Sequence, residues 1–184
     1  GIVTSMFLHA GWMHIIGNML FLWIFGDNLE DQMGHVGFLV FYLASGVAAA
    51  LAHIYSAPGS GVPTVGASGA IAGVMGGYLL MFPRARVDIV VIIVIFIRIL
   101  TVPAWIMLGL WFALQILSGV SMPVDGGGVA FWAHAGGFVA GLVLALPLWL
   151  RRGGPGFWAR THGLPPPPGA LYSPSRIPTV RRRR

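Results

Sequence analysis

Residues Val65 to Tyr78 read VGASGAIAGVMGGY. One serine, Ser68, stands among glycines where an apolar helix is expected to begin. Gly69, Gly73 and Gly77 recur every four residues, so one face of that helix is nearly bare backbone and accepts a neighbouring helix at close range. Gly66 precedes the serine, and Ser68 tops the bare face. The first turn of a helix offers unpaired N–H groups and the positive end of the helix dipole, which stabilise a developing oxyanion. Ser68 therefore has two readings: a nucleophile, or an ordinary packing or N-cap serine in a Gly-x-Ser-Gly stretch. The first requires a base elsewhere in the chain.

The composition sets the environment. Of 184 residues, 57% are hydrophobic and 9% charged, whereas about a quarter of a soluble domain is charged. The chain reads as an integral membrane protein, one polytopic helical bundle with spans approaching the ~20 residues needed to cross a bilayer. Cysteine is absent, which excludes disulfides, thiolate nucleophiles and cysteine metal sites. No metal or cofactor is expected. The net charge of +6 comes from 11 arginines against five acids, with most of the arginines beyond Leu150. They act first as a topology signal. Nucleic-acid binding is not expected, because no aromatic residues are interleaved as a stacking platform.

Upstream of Ser68, an apolar segment from about Thr4 to Phe25 is interrupted by His9, His14 and Asn18, polar groups that are costly in hydrocarbon unless they face a cavity or one another. His14 and Asn18, four apart, share a helix face; His9 lies near the helix entrance. Gly26 to Gly37 holds three of the five acids and reads as a loop or interfacial turn. Val36 to Ala57 is a second span, and Pro58 to Pro63 a breaker-rich loop. The Ser68 helix ends at Phe82, before Pro83.

Downstream, Ile89 to Ile97 is a β-branched run too short to cross alone, and it reads as re-entrant or interfacial. A span from Pro103 to about Leu117 follows, so residues 89 to 117 count as one crossing. Val129 to Leu150 is the last span. Arg84, Arg86, Arg151 and Arg152 then share the cytoplasmic side, and Ser68, His134 and His9 fall on the outer one. Residues 153–184, rich in Gly, Pro and Arg, are expected to form a disordered cytoplasmic tail in contact with anionic lipid.

His134 lies between alanines and is followed by Gly136, Gly137 and Gly141, so its helix suits the glycine face below Ser68. Contact there would join a nucleophile to a general base as a two-residue dyad. Asp27, Glu30 and Asp31 are on the wrong side to complete a triad, and Asp125 reads as a turn-former in DGGG. His14 and Asn18 have two readings: N–H donors that join the Ser68 backbone N–H at an oxyanion, or an interhelical polar clamp.

Together these segments resemble the rhomboid family of intramembrane serine proteases. His9, His14 and Asn18 match the H-x4-H-x3-N signature, GASG the G-x-S-G motif, and Ala133, His134, Gly137 and Gly141 the A-H-x2-G-x3-G helix, in family order. The resemblance covers about residues 1 to 150, within a transmembrane domain expected to span residues 1–152. It implies an all-α bundle with five transmembrane helices here, and it places the family's first helix and its Trp-Arg loop motif outside this sequence. By the same resemblance Ser68 is the nucleophile, His134 the base, His14 and Asn18 the oxyanion partners, and His9 and Gly66 supporting residues. Ala72 stands where many members carry an aromatic ring stacked on the histidine, so a more loosely held histidine is expected. The implied activity is cleavage of transmembrane protein substrates near the outer membrane face, in a setting expected to be a bacterial cytoplasmic membrane. The alternatives are a catalytically impaired membrane chaperone or scaffold, and a transporter or channel. Loops around Gly59 to Gly61 and before Phe131 are candidate gates.

Overall fold

The computed structural model describes residues 1–56, 58, 65–93, 96–121 and 130–166. The candidate gating loops and Asp125 lie outside the described residues. The elements run α1 (Ile2–Ser5), α2 (Trp12–Ser56), α3 (Ser68–Met81), β1 (Arg86–Ile93), β2 (Phe96–Pro103), α4 (Ala104–Ser121), α5 (Phe131–Arg151) and α6 (Pro155–Thr161). The expected helical bundle is present. By length and composition α2, α4 and α5 can each cross a membrane, and α3 is a shorter apolar helix.

Helix α2 is two arms joined at Gly34, whose φ of 73° and ψ of 161° break the helical path. Only glycine enters such a conformation without strain. Residue 26 faces Phe38 across the break, and Gly46 meets Met6, so the second arm returns alongside the first. The loop expected at Gly26 to Gly37 is thus a single-residue break. Asp27, Glu30 and Asp31 remain helical on the first arm, before the break. Glu30 bridges the break to His35 at 2.6 Å.

The centre of the bundle is α3, in which every residue from Ala70 to Tyr78 is buried. Its glycine face is wedged between the second arm of α2 and α5: a side-chain carbon at Gly69 would first meet Ala49, and one at Gly73 would first meet Ser45. A side-chain carbon at Gly137 would land on the carbonyl oxygen of Gly69, and one at Gly141 on that of Gly73. Gly77 likewise receives Phe41 of α2, with Ala145 of α5 beside it. Two further close approaches were not anticipated: Gly76 against the Phe138 carbonyl, and Gly136 against Ala52 of α2. Outside this core, Trp23, Leu39, Val40, Val139 and Val143 are exposed, as suits a lipid-facing surface.

Pro83 ends α3, because the residue before a proline is pushed out of the helical region. The described residues of the run expected to be re-entrant belong to two β-strands: β1 pairs antiparallel with β2, Arg86 opposite Pro103 and Val91 opposite Arg98. Here β-propensity prevails, since the hairpin satisfies its own backbone while Arg98 stays exposed. The strand pair carries the chain out of α3 and into α4, which begins at Ala104. The first N–H groups of α4, which lack helical partners, are met by Ala85 and Pro83 carbonyls at 2.8 and 3.0 Å.

The segment expected to be disordered from residue 153 is ordered in its first part. Phe157 of α6 is buried against the Phe25–Tyr78–Phe82 aromatic series. Trp158 donates its indole N–H to the Leu80 carbonyl at 2.9 Å. Two aromatic anchors outweigh the Gly/Pro composition. Arg152 reaches the Gln32 carbonyl at 3.2 Å, so the Gly34 break, the ends of α3 and α5, and α6 share one end of the bundle. Ser68 and His134 open α3 and α5 at the other.

The glycine contact yields a prediction. Gly141→Ala is expected to lower stability by about 1–3 kcal/mol, since backbone must move to admit the methyl group. Gly109→Ala, which meets nothing within 4 Å, is expected to leave stability unchanged or slightly raised. Thermal unfolding in detergent compares the two.

Candidate active site

Ser68 is the first residue of α3. The N-cap position belongs to Ala67, and no side chain caps the helix, so the N-cap reading of Ser68 does not hold. Its hydroxyl lies 2.9 Å from Nε2 of His134. These residues are 66 apart in sequence and come together because the glycine faces of α3 and α5 let the two backbones touch just below them.

His14 approaches from α2. Its Nδ1 accepts the Ala10 backbone N–H at 3.3 Å, so the neutral ring carries its proton on Nε2. That nitrogen stands over Gly66. A methyl group there would lie 2.9 Å from His14 Nε2 and 3.8 Å from Ser68 Oγ, so the absence of a side chain at Gly66 admits the imidazole beside the serine. Gly66 also has φ of 126°, a conformation that L side chains rarely adopt. The Gly66 N–H donates to the Ser5 carbonyl at 2.9 Å, which ties this turn to α1. His9 packs edge-on against His14, with ring centroids 5.2 Å apart.

Asn18 is buried, and its Nδ2 donates to the carbonyl of His14 at 2.9 Å. This bond stays within one helix, so Asn18 is not the interhelical clamp considered from the sequence. Its amide has a second N–H. Ser68, His134, His14 and Asn18 all line one cavity of about 240 Å³, completed by Met13, Phe21, Ile71, Met75 and Trp111 among others. A few polar groups thus converge in a mostly apolar pocket, the usual character of a binding site for a small segment.

Two residues at the site went unread in the sequence, and both are on α4. Trp111 places its ring 5.8 Å from that of His134 at 34°. Gln115 places Oε1 2.9 Å from His134 Nδ1. The histidine expected to be loosely held is thus contacted from α4 on its face and at its second nitrogen. The sequence signal was a lone amide in an apolar span, one turn after a tryptophan. Among the described residues no His/Cys/Asp/Glu cluster suited to a metal ion occurs.

With this geometry in view, comparison with known proteins is decisive. The family model for the Rhomboid domain matches residues 1–151. The chain belongs to the rhomboid family. It is 31% identical to rhomboid protease GluP of Bacillus subtilis over 83% of this chain and 27% of that protein. It is 30% identical to mitochondrial Rhomboid protein 1 of Saccharomyces cerevisiae over 77% of this chain and 40% of that one. A chloroplastic relative from Arabidopsis thaliana, Rhomboid-like protein 11, is 44% identical over 39% of this chain and 25% of its own length. The chain thus spans well under half of each of these relatives. Membership and the apolar helices make this rhomboid an integral membrane protein. Relatives named for a mitochondrion, a chloroplast and a bacterium show that the family is not tied to the bacterial membrane expected from the sequence.

Gly66→Ala tests the seating of His14. The variant is expected to lose about 1–3 kcal/mol of stability from strain and crowding and to shift the His14 ring resonances in NMR spectra. Gly17→Ala, on the same cavity but with open space at its Cβ, is expected to leave stability unchanged.

Proposed function

We propose that this rhomboid is an intramembrane serine endopeptidase that cleaves transmembrane protein substrates through an acyl-enzyme on Ser68. The observation that carries this reading is the 2.9 Å contact between Ser68 Oγ and His134 Nε2 in a part-buried cavity that also holds His14 and Asn18. The relative GluP, named a rhomboid protease, agrees with it.

The chemistry follows from the donors and acceptors. His134 Nε2 takes the Ser68 proton as Oγ attacks a substrate carbonyl carbon. Negative charge then develops on the carbonyl oxygen. The Ser68 backbone N–H, which lies in the first turn of α3 and has no partner within the helix, is one donor to it. The Nε2–H of His14 is a second, and Asn18 offers its free amide hydrogen. The His134 imidazolium protonates the leaving amine, the peptide C–N bond breaks, and water hydrolyses the acyl-enzyme with His134 again as base. Among the described residues no carboxylate bonds to the dyad: Asp27, Glu30 and Asp31 sit near the Gly34 break, at the opposite end of the bundle.

The place of the site in the membrane follows from length. Helix α3 has 14 residues and so spans ~21 Å, against ~30 Å for the hydrocarbon core. With its arginine-flanked end at one boundary, Ser68 lies below the other. A substrate helix entering there must unwind to present a carbonyl, because an intact helix keeps its backbone groups paired. Helix-weakening residues near the outer end of a substrate span therefore favour cleavage. The arginine-rich end is assigned to the cytoplasm.

Co-reconstitution in lipid vesicles tests the reading. The substrate is a single-span reporter with Gly and Pro near the outer end of its helix, and products are identified by mass spectrometry. Cleavage is expected with the wild-type protein and to fall by at least ~10³-fold in Ser68→Ala and in His134→Ala. An all-leucine reporter helix is expected to be spared. Cleavage that persists in Ser68→Ala would refute the assignment, and a folded wild-type protein that cleaves nothing would favour the impaired chaperone or scaffold.

A further inference from the structure

Gln115 has no part in the chemistry above, yet it is buried within α4 and bonded on both sides. Its Nε2 faces the Trp111 carbonyl at 3.4 Å, and its Oε1 faces His134 Nδ1 at 2.9 Å. A backbone carbonyl can only accept, so it selects the amide orientation that leaves Oε1 for the histidine. An amide oxygen can only accept, so Nδ1 of a neutral His134 carries the proton. Nε2 is then a bare lone pair, aimed at the Ser68 hydroxyl 2.9 Å away. Four groups from three helices thus specify one proton order, with each hydrogen pointing back from the serine toward α4.

Resting on the dyad reading, we propose that Gln115 is a positioning residue that holds His134 in the Nδ1–H tautomer and supports the imidazolium formed during the reaction. When the Ser68 proton moves to Nε2, no other proton shifts and Gln115 stays neutral. Its bond to Nδ1–H becomes a bond to a cation, which is stronger than one between neutral groups. The gain appears only after proton transfer, so it lowers the barrier instead of tightening binding. Gln115 does not line the cavity. Its effect should therefore fall on the chemical step.

The test uses an alkyl fluorophosphonate on the full chain in detergent, with the maximal inactivation rate and the half-saturating concentration measured separately. Q115L is expected to slow maximal inactivation about 10- to 100-fold, the worth of a hydrogen bond to a charged group, with half-saturation unchanged. Q115E is expected to retain the wild-type rate, because a neutral carboxyl donates to Trp111 and accepts from Nδ1–H as the amide does, and a carboxylate still accepts. Nitrogen-15 NMR of histidine-labelled protein, with the His134 signals assigned by His134→Ala, gives a readout that does not depend on reactivity. Wild type and Q115E are expected to carry the proton on Nδ1, and Q115L to show a mixture of tautomers. An unchanged rate in Q115L, or a wild-type His134 protonated on Nε2, overturns the proposal while leaving the dyad intact. Labelling that survives Ser68→Ala overturns the dyad itself, and the role of Gln115 with it.

Discussion

The close approach of α3 and α5 is the constraint on which the site depends. Where Gly137 and Gly141 meet the carbonyls of Gly69 and Gly73, two helices touch backbone to backbone, with no side chain to hold them apart. In a lipid environment, where no hydrophobic drive separates helix from solvent, such packing is a principal source of association. The same contact sets a distance. Ser68 stands one residue before Gly69, and His134 three residues before Gly137, so close packing of the glycines leaves only a hydrogen bond's length between hydroxyl and imidazole. Stability and chemical geometry therefore share one determinant.

The remaining parts of the site act on orientation. Gly66, with its positive φ, leaves room for the His14 ring, whose own proton is placed by the Ala10 N–H. Helix α4 contributes Trp111 at the ring face of His134 and Gln115 at its Nδ1, the nitrogen away from Ser68. The dyad is thus held from α2, α4 and α5 around the first turn of α3. Among the described residues the side chains bonded to His134 are the neutral Ser68 and Gln115.

Much of this was legible in the sequence, for identifiable reasons. A four-residue glycine period is a helix-face signal that survives without tertiary information, so Gly69, Gly73, Gly137 and Gly141 could be assigned to an interface. Ser68, His134, His14 and Asn18 stood out as polar residues in apolar runs. Gln115 met the same criterion and was passed over, because its partners come from another helix and from Trp111 within its own. The break at Gly34 was read as a loop across Gly26 to Gly37, since acids and glycines there mimic turn composition while remaining compatible with a helix end. The hairpin at residues 86–103 was visible as β-branched residues, but its membrane-like hydropathy pointed to a re-entrant segment. Helix α6 was hidden by Gly and Pro, and only Phe157 and Trp158 signalled that it docks.

An experimental structure of the protein after reaction with an alkyl fluorophosphonate tests the central claim most directly. The account predicts phosphorus bonded to Ser68 Oγ, a phosphonyl oxygen facing the Ser68 N–H and His14 Nε2, His134 still on Gln115, and the glycine contact between α3 and α5 intact. Phosphorus on another residue, or Ser68 modified with α5 withdrawn and His134 out of reach, would contradict it.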